Sequence, residues 1–255
     1  MTRVVHYHRP SSTDDALALL SRAGVTTRLL GGGTIVNAGY QNLDASPVEV
    51  VDLQALALDG VQVIDAELGV VAIGAMTTLG AMAGSSLVPS ILREVAKAEL
   101  PNTLRNMATV GGTIAHADFE SVLLAGLLAC HATVTIVNQA VEHTLSLADL
   151  LAHQTILKGA LITKVEVRTP LRAAWDAVRR TPADVPIVAV VGAFHRSVAG
   201  GEATTLLGAS GVATTPILHN EANRVAPPGD FRGSSLYRSE LISTLTTRVL
   251  RTLEA

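Results

Sequence analysis

The sequence predicts an α+β fold of two neighbouring subdomains followed by a small, shortened α+β C-terminal domain. Strand-like and helical segments come in groups rather than in strict βαβ alternation. The segment GGTIVNAG at residues 32–39 returns as GGTIAHAD at residues 111–118, so each subdomain carries one copy. Beyond Pro170 the pattern changes to two short strands and a last amphipathic helix. The predicted subdomains are residues 1–55 and 56–168, and residues 169–255 form the C-terminal domain.

The first subdomain is predicted to be a small β-α-β unit. VVHYH alternates like a strand, Pro10 ends it, and SSTDDALALLSRAG is typical of a helix. Ser12 is the expected N-cap because Asp15 follows three residues later, and Gly24 is expected to end the helix. TTRLLGGG then leads from a strand into a glycine turn, and VEVVDL supplies a further strand.

The second subdomain is predicted to open with a hairpin. VQVIDAELGVVAIGA contains two β-branched runs around a turn at Gly69. Helices are expected at residues 79–82 and 90–99, and a buried helix at residues 121–130. ATVTIVN, EHTLSL and ALITKVEVRTP complete the subdomain as strands.

The C-terminal domain is predicted to be a small sheet covered by one helix. IVAVVGAFHRS and ATTLLGASG are the expected neighbouring strands. The last helix carries an apolar stripe for docking on this sheet, formed by Leu236, Leu241, Leu245, Val249 and Leu253.

Composition excludes several classes of function. The formal net charge is -3 and the basic residues are scattered, which argues against nucleic-acid binding and against a polybasic membrane surface. The N-terminus lacks a secretory signal, and the longest apolar run is interrupted by His131. The single cysteine, Cys130, forms no internal disulfide or four-thiolate cluster and is expected to be a core thiol. We therefore expect a cytoplasmic protein.

The two glycine segments indicate a phosphate-binding function. Paired glycines leave backbone N–H groups uncovered, and Thr34 and Thr113 add a hydroxyl group to each segment. A single Gly-Gly pair is also typical of a tight corner. Two such pairs facing each other across a cleft would hold the diphosphate of a dinucleotide. The chain has neither a GxGxxG nor a GxxxxGK[ST] motif, so a Rossmann site and a P-loop are excluded.

Other chemistry has weaker support in the sequence. The eight histidines form no HExxH motif, and His6 and His8 share a strand face that is predicted to be a solvated edge, so no metal site is expected. No GxSxG motif is present, which argues against a serine hydrolase. Arg179 and Arg180 are expected to be solvated or to lie at an interface.

The sequence resembles the FAD-binding medium subunit of molybdenum hydroxylases, the carbon monoxide dehydrogenase and xanthine dehydrogenase family with its PCMH-type FAD-binding fold. YHRPSSTDDALALLSRAG, RLLGGGTIV, VVDL and IGAMTTL carry the likeness, and LRNMATVGGTIAHAD is its most specific stretch. The resemblance implies FAD between the two subdomains, with its diphosphate on both Gly-Gly-Thr segments. The cofactor-binding residues implied by position are Gly31, Gly32, Gly33, Thr34, Ile35, Thr109, Gly111, Gly112, Thr113, Asp118 and Leu161.

Two polar residues in the second segment leave alternatives open. Asp118 is placed for a ribose hydroxyl or a polar edge of the flavin, but it also suits an Asx turn after the segment. His116 is the candidate catalytic residue beside the flavin, where it would bind the ring or a substrate, or cap the segment.

The resemblance also implies partner chains. In the family, electrons pass from a molybdopterin large subunit through [2Fe-2S] clusters of a small subunit to FAD, and then to a soluble acceptor. A chain with one cysteine cannot bind such clusters itself, so the molybdenum cofactor and the clusters are expected only on partners.

Three departures from the family pattern keep other functions open. Val122 stands where the family has an acidic residue, with only Glu120 nearby to compensate, and Ala160 replaces a second acidic residue. The segment before the last helix is also short. The alternatives are a stand-alone FAD-dependent enzyme with its own small substrate, and a degenerate scaffold of this fold that has lost FAD.

Overall fold

Three separate β-sheets organise the part of the chain that the computed structural model describes, which is residues 4–35, 47–181, 184–196, 203–220 and 225–255. The strands are β1 Val4–His8, β2 Thr27–Leu30, β3 Val48–Asp52, β4 Val61–Asp65, β5 Val70–Gly74, β6 Thr133–Asn138, β7 Val141–Ser146, β8 Ala160–Arg168, β9 Arg172–Val178, β10 Val188–His195, β11 Thr204–Ser210 and β12 Ile217–His219. The helices are α1 Thr13–Leu20, α2 Leu79–Gly84, α3 Ser90–Glu99, α4 Asn102–Arg105, α5 Val110–His116, α6 Val122–Ala129, α7 Leu147–Ala152 and α8 Ser235–Glu254.

The first sheet is parallel, with the strand order β1-β3-β2. The predicted β-α-β unit is present, and Ser12 caps α1 as expected by accepting a hydrogen bond from the Asp15 N–H at 3.1 Å. Helix α1 ends at Leu20, four residues before Gly24, whose φ is +74°. The central strand β3 is buried along its whole length, so it forms the core of this unit.

The second sheet has five antiparallel strands in the order β4-β5-β8-β6-β7. The predicted hairpin is β4 and β5, with Gly69 in its turn at a φ of +64°. Helix α6 packs beside this sheet, and all eight of its residues are buried. Its caps are Ser121 and Cys130, which are the limits that the sequence predicts.

The third sheet is antiparallel, with the order β12-β11-β10-β9, and α8 packs on it. The predicted pairing of β10 with β11 is confirmed. The apolar stripe of α8 differs from the prediction, because Leu236 is 70% exposed and Arg238 is fully buried. Arg238 lies on the same helical face as Ile242 and Leu245, whereas Leu236 lies two residues earlier and about 200° around the axis.

Helix α6 connects the second and third sheets. Residues of β10 join α6 and the second sheet in one hydrophobic cluster. The hydrophobic core runs continuously from the second sheet to the third among the described residues. The predicted domain boundary near residue 168 therefore stays a prediction. Within the described ranges, no helix combines the length and the apolar character needed to span a bilayer.

The third sheet approaches α6 most closely at Gly208 in β11. A Cβ atom on Gly208 would lie 1.9 Å from the carbonyl oxygen of Ala125, in the middle of α6. A backbone oxygen in a buried helix has no free direction in which to move. The contact therefore requires glycine at this position for steric reasons.

We expect Gly208→Ala to lower the free energy of unfolding by about 3 kcal/mol, because the added methyl group must push β11 away from α6. Urea denaturation of the full chain measures this change. The matched control is Gly84→Ala at the end of α2, where a Cβ would meet nothing within 4 Å. The control should change stability by no more than about 1 kcal/mol. Equal stability of the two variants would contradict the proposed contact.

Candidate functional site

The two glycine segments wall one cavity of about 400 Å³ between the first and second sheets. The first segment follows β2, and the second forms the start of α5. The cavity wall includes every site residue that the sequence predicts: Gly31, Gly32, Gly33, Thr34, Ile35, Thr109, Gly111, Gly112, Thr113, His116, Asp118 and Leu161. The two segments therefore share one cavity, as a site formed by two facing glycine pairs requires.

The two segments also touch each other directly. A Cβ atom on Gly32 would lie 1.7 Å from the carbonyl oxygen of Met107, and one on Gly31 would lie 2.9 Å from Oγ1 of Thr109. A Cβ on Gly111 would lie 2.8 Å from the Cβ of Ala75, the residue directly after β5 of the second sheet. The missing side chains of these three glycines therefore let neighbouring parts of the chain pack closely together.

The first segment presents free hydrogen-bond donors. Gly33 has a φ of +73°, which turns the chain sharply at the end of β2. No described residue accepts a hydrogen bond from the backbone N–H groups of Gly32, Gly33, Thr34 or Ile35. Successive unpaired N–H groups around a left-handed turn form a concave anion site. This segment therefore has the donor arrangement that the sequence predicts.

The second segment differs from the prediction because it forms the first turn of α5. The first N–H groups of α5 donate within the protein, and their acceptors are oxygens of Thr77, Ala75 and Thr109. The expectation of uncovered N–H groups at Gly111 and Gly112 is therefore wrong, because the Ala75 carbonyl accepts the Gly111 N–H and the Thr109 hydroxyl accepts the Gly112 N–H. Gly112 is exposed, and a Cβ there would meet only Oγ1 of Thr109, at 2.9 Å. The second segment therefore contributes open space at Gly112 to the cavity, while the N–H groups of Gly111 and Gly112 are already hydrogen-bonded.

The opposite wall of the cavity is apolar. Ala160, Leu161 and Ile162 at the start of β8 line it, and all three are buried. Leu161 also packs against the buried face of α1. Because Ala160 carries no carboxyl group, this part of the wall is hydrophobic, as walls of small-molecule sites usually are.

Asp118 and His116 lie at the exposed rim of the cavity. Oδ1 of Asp118 accepts a hydrogen bond from the Glu120 N–H at 3.0 Å, so the Asx turn that the sequence allows is present. Oδ2 of Asp118 has no hydrogen-bond partner among the described residues, which leaves it available to a ligand. His116 is the last residue of α5, and Ala117 ends the helix in the left-handed conformation with a φ of 51°.

Glu99 lines the same cavity but was missed by the sequence-based reasoning. It is the last residue of α3, and its Oε2 accepts a hydrogen bond from the Leu123 N–H at 2.8 Å. Burial raises the pKa of the Glu99 carboxyl to about 7, and the nearby Asp118 adds to this, against opposing hydrogen bonds from Ser121 and the Val122 and Leu123 amides. The signal for Glu99 in the sequence is weak, because an acidic residue at a helix end is usually solvated.

Glu120 does not compensate for the missing acidic residue at Val122, which corrects the expectation from the sequence. Its carboxylate forms an ion pair with Arg238 of α8 at 2.8 Å and another with Arg232, which lies just before α8. The Arg238 guanidinium also lies 5.3 Å from the ring centroid of Phe119. Glu120 is therefore part of a buried ion cluster that joins the rim of the cavity to α8.

The histidines of β1 take part in an ion network. His8 Nε2 lies 2.8 Å from Oε2 of Glu49, which also accepts a hydrogen bond from Arg22 at 2.7 Å. β1 is an edge strand as predicted, but His8 is only partly solvated. Among the residues with described positions, no group of three or more His, Cys, Asp or Glu has a geometry that could hold a metal ion.

The comparison with protein families identifies the ligand class of this cavity. The family described as "FAD binding domain in molybdopterin dehydrogenase" matches residues 3–170. The chain belongs to this FAD-binding family. The matched range contains both glycine segments, Glu99 and the β8 wall, so the whole cavity lies within the FAD-binding domain.

Relatives of this FAD-binding chain match it over nearly its whole length. The carbon monoxide dehydrogenase medium chain of Afipia carboxidovorans is 27% identical over 98% of this chain and 96% of its own length. The protein YgfM of Escherichia coli K12 is 31% identical over 95% of this chain and 93% of its own length. A chain of the reconstituted CO dehydrogenase from Oligotropha carboxidovorans superposes with a TM-score of 0.87 at 25% identity, covering 99% of this chain and 98% of that one. The predicted family and fold class are thereby confirmed.

The residues of the cavity fit an FAD molecule. The free N–H groups after β2 suit a diphosphate, and the missing side chain at Gly112 leaves room beside them. The cavity volume of about 400 Å³ lies within the usual range of small-molecule sites, which is about 300–1,000 Å³. The assignment of individual residues to parts of FAD stays a prediction.

We expect Gly112→Val to weaken FAD binding at least tenfold while the chain stays folded, because the new side chain enters the cavity and meets only Oγ1 of Thr109. Quenching of flavin fluorescence measures the affinity, and thermal melting checks the fold. The matched control is Gly84→Val, which adds the same side chain at a helical glycine outside the cavity. Undiminished FAD affinity of Gly112→Val would show that the ligand lies elsewhere.

We expect Glu120→Ala to lower the free energy of unfolding by about 3 kcal/mol, because it leaves the buried Arg238 with only Asp230 as an acidic partner. Chemical denaturation measures the loss. The control is Arg248→Ala, which removes the exposed Arg248–Asp176 pair at 3.4 Å and should cost less than about 1 kcal/mol. Equal effects would mean that the buried cluster contributes no more than a surface pair.

Proposed function

We propose that this chain is the flavin-carrying electron-transfer subunit of a molybdenum-containing dehydrogenase complex. FAD in the cavity would receive electrons from a [2Fe-2S] small subunit, which a molybdopterin large subunit supplies, and pass them to a small-molecule acceptor. The observation that carries this proposal is the single cavity walled by both glycine segments within an FAD-binding domain of the molybdopterin dehydrogenase family.

The chain's own residues would bind and orient the cofactor. The free N–H groups of Gly32, Gly33 and Thr34 would hold the diphosphate, and Gly112 would leave space for it. The apolar wall that contains Leu161 would support the flavin ring and exclude water from it. Asp118 Oδ2 would accept a hydrogen bond from a ribose hydroxyl or from the ring edge. Bound FAD supplies the redox chemistry, which the side chains of this chain lack.

Partner chains are required because the iron–sulfur chemistry cannot be carried by this chain. Its single cysteine is buried, and burial raises the pKa of the Cys130 thiol to about 12, so this thiol is not a thiolate ligand. The relative named as a medium chain of carbon monoxide dehydrogenase matches over 98% of this chain, which supports a multisubunit assembly. A cytoplasmic location fits a chain with one free cysteine.

Purification of the tagged chain from its native cells tests this proposal. We expect a hetero-oligomer that contains flavin, iron and molybdenum. The same purification with Gly112→Val should give the hetero-oligomer with iron and molybdenum but with little flavin, because the partners do not depend on the cavity.

Two other outcomes would contradict the proposal. A lone yellow chain that is reduced by a small organic donor would support a stand-alone flavoenzyme. A lone chain without flavin, even after incubation with FAD, would support a degenerate scaffold.

A further inference from the structure

The turn between α5 and α6 forms the polar rim of the cavity around Asp118. This residue is exposed at the cavity wall, and its hydrogen bonds to described residues are both within the turn. Its Oδ1 accepts from the Glu120 N–H at 3.0 Å, and its backbone carbonyl accepts from the Ser121 N–H at 3.0 Å. These two bonds give the turn its shape, but they do not fix its position relative to the rest of the cavity.

Residues much further along the chain fix that position. The Gly211 N–H, directly after β11, donates to the carbonyl of Phe119 at 2.6 Å, and the Arg238 guanidinium lies 5.3 Å from the centroid of the Phe119 ring. The carboxylate of Glu120 accepts hydrogen bonds from Arg238 at 2.8 Å and from Arg232. The groups that hold the turn in these contacts all come after residue 170, where the matched FAD-binding domain ends.

The guanidinium of Arg238 is itself held on several sides. It is fully buried, and its Nη1 donates to the carbonyls of Ile187 and Gly211, at the ends of β10 and β11. Its Nη2 donates to Glu120 and to Asp230, the latter at 2.9 Å. A planar guanidinium reaches all four acceptors in one rigid geometry, which a lysine ammonium could not do. The third sheet therefore sets the position of the Glu120 carboxylate.

Stability alone is a poor reason for a cluster of two arginines and two carboxylates at this place. Apolar side chains of similar volume often stabilise a fold as well as a buried ion pair does, because the pair loses its hydration. An ion pair with several directed hydrogen bonds does, however, allow only one relative position of its groups. Here that position is set one hydrogen bond away from Asp118, whose Oδ2 has no partner among the described residues.

We propose that Arg238 and Arg232 are positioning residues for the cofactor: through Glu120 they hold Oδ2 of Asp118 where a donor group of FAD reaches it. The inference rests on the proposed function, because it needs FAD in the cavity. It makes the C-terminal part of the chain, outside the matched FAD-binding domain, a contributor to FAD binding.

The test is a double-mutant cycle on the dissociation constant of FAD, measured by flavin fluorescence on the full chain after removal of its flavin. Asp118→Asn keeps an oxygen that accepts the Glu120 N–H and replaces the free oxygen by an amide donor. Glu120→Gln keeps the size of the side chain and the backbone N–H, but its amide cannot accept from both arginines.

The cycle separates positioning from stability. We expect Asp118→Asn to weaken FAD binding about tenfold, which is the usual value of one hydrogen bond to a charged group, and Glu120→Gln to weaken it between about threefold and tenfold. The double variant should bind FAD no more weakly than Asp118→Asn, because the ion cluster acts through that one contact.

A second variant acts on the same carboxylate from its other side. Arg232→Ala removes one partner of Glu120 and leaves the buried Arg238 pair in place, so the chain should stay folded. It should weaken FAD binding by a smaller factor than Glu120→Gln, and again only when the free oxygen of Asp118 is present. This second cycle decides the question if Glu120→Gln does not fold.

The control for a general loss of stability is Gly192→Ala in β10, outside the cavity. The added Cβ would lie 2.6 Å from Cγ1 of Val249 on α8, so the variant disturbs the packing of the third sheet away from the rim. Gly192→Ala should lower the melting temperature and leave the dissociation constant of FAD unchanged.

Three results would overturn this inference and leave the proposed function intact. The first is a loss of affinity in Glu120→Gln that is equally large with Asp118 and with Asn at position 118. The second is unchanged FAD affinity in either single variant, and the third is a loss of FAD affinity in Gly192→Ala as large as that in Glu120→Gln. A wild-type chain that binds no FAD would remove both the inference and the proposed function.

Discussion

The structure depends on the close backbone contact between the first glycine segment and the start of the second. Gly32 lies against the carbonyl of Met107, and no residue with a Cβ fits there. This contact brings the end of β2 beside the start of α5 and so forms a cavity between two sheets that share no hydrogen-bonded strands. Both glycine segments and the apolar residues at the start of β8 line this one cavity.

The two copies of the glycine segment contribute in different ways to the same cavity. The first follows a strand, and its N–H groups from Gly32 to Ile35 have no acceptor among the described residues, whereas those at the start of the second donate to oxygens of Thr77, Ala75 and Thr109. Equal sequences give unequal chemistry here because Thr109, two residues before the second glycine pair, is an N-cap, and the helix can therefore form. The cavity thus has unpaired N–H groups of described residues on the side of the first segment and open space at Gly112 in the second.

Two acidic residues near the cavity show how partners decide the role of a carboxyl group. Burial raises the pKa of both Glu99 and Glu120. Glu120 has Arg238 and Arg232 beside it, so it forms an ion cluster that fixes the cavity rim to α8. Glu99 forms no ion pair among the described residues; it lies in the cavity wall, where it accepts a hydrogen bond from the Leu123 N–H. Neighbours from distant parts of the chain make this difference.

The sequence by itself determined most of the local elements, the family and the two glycine segments of the cavity wall. Caps and periodicity depend on residues a few positions apart, which is why the limits of α3, the Ser12 cap and the buried helix α6 could be predicted. Tertiary structure alone decided that Glu99 lines the cavity and that Glu120 turns away to Arg238, 118 positions further along the chain. It also decided that the first N–H groups of α5 are hydrogen-bonded within the protein and that Arg238 of α8 is buried. These outcomes depend on contacts between distant segments, which no local pattern encodes.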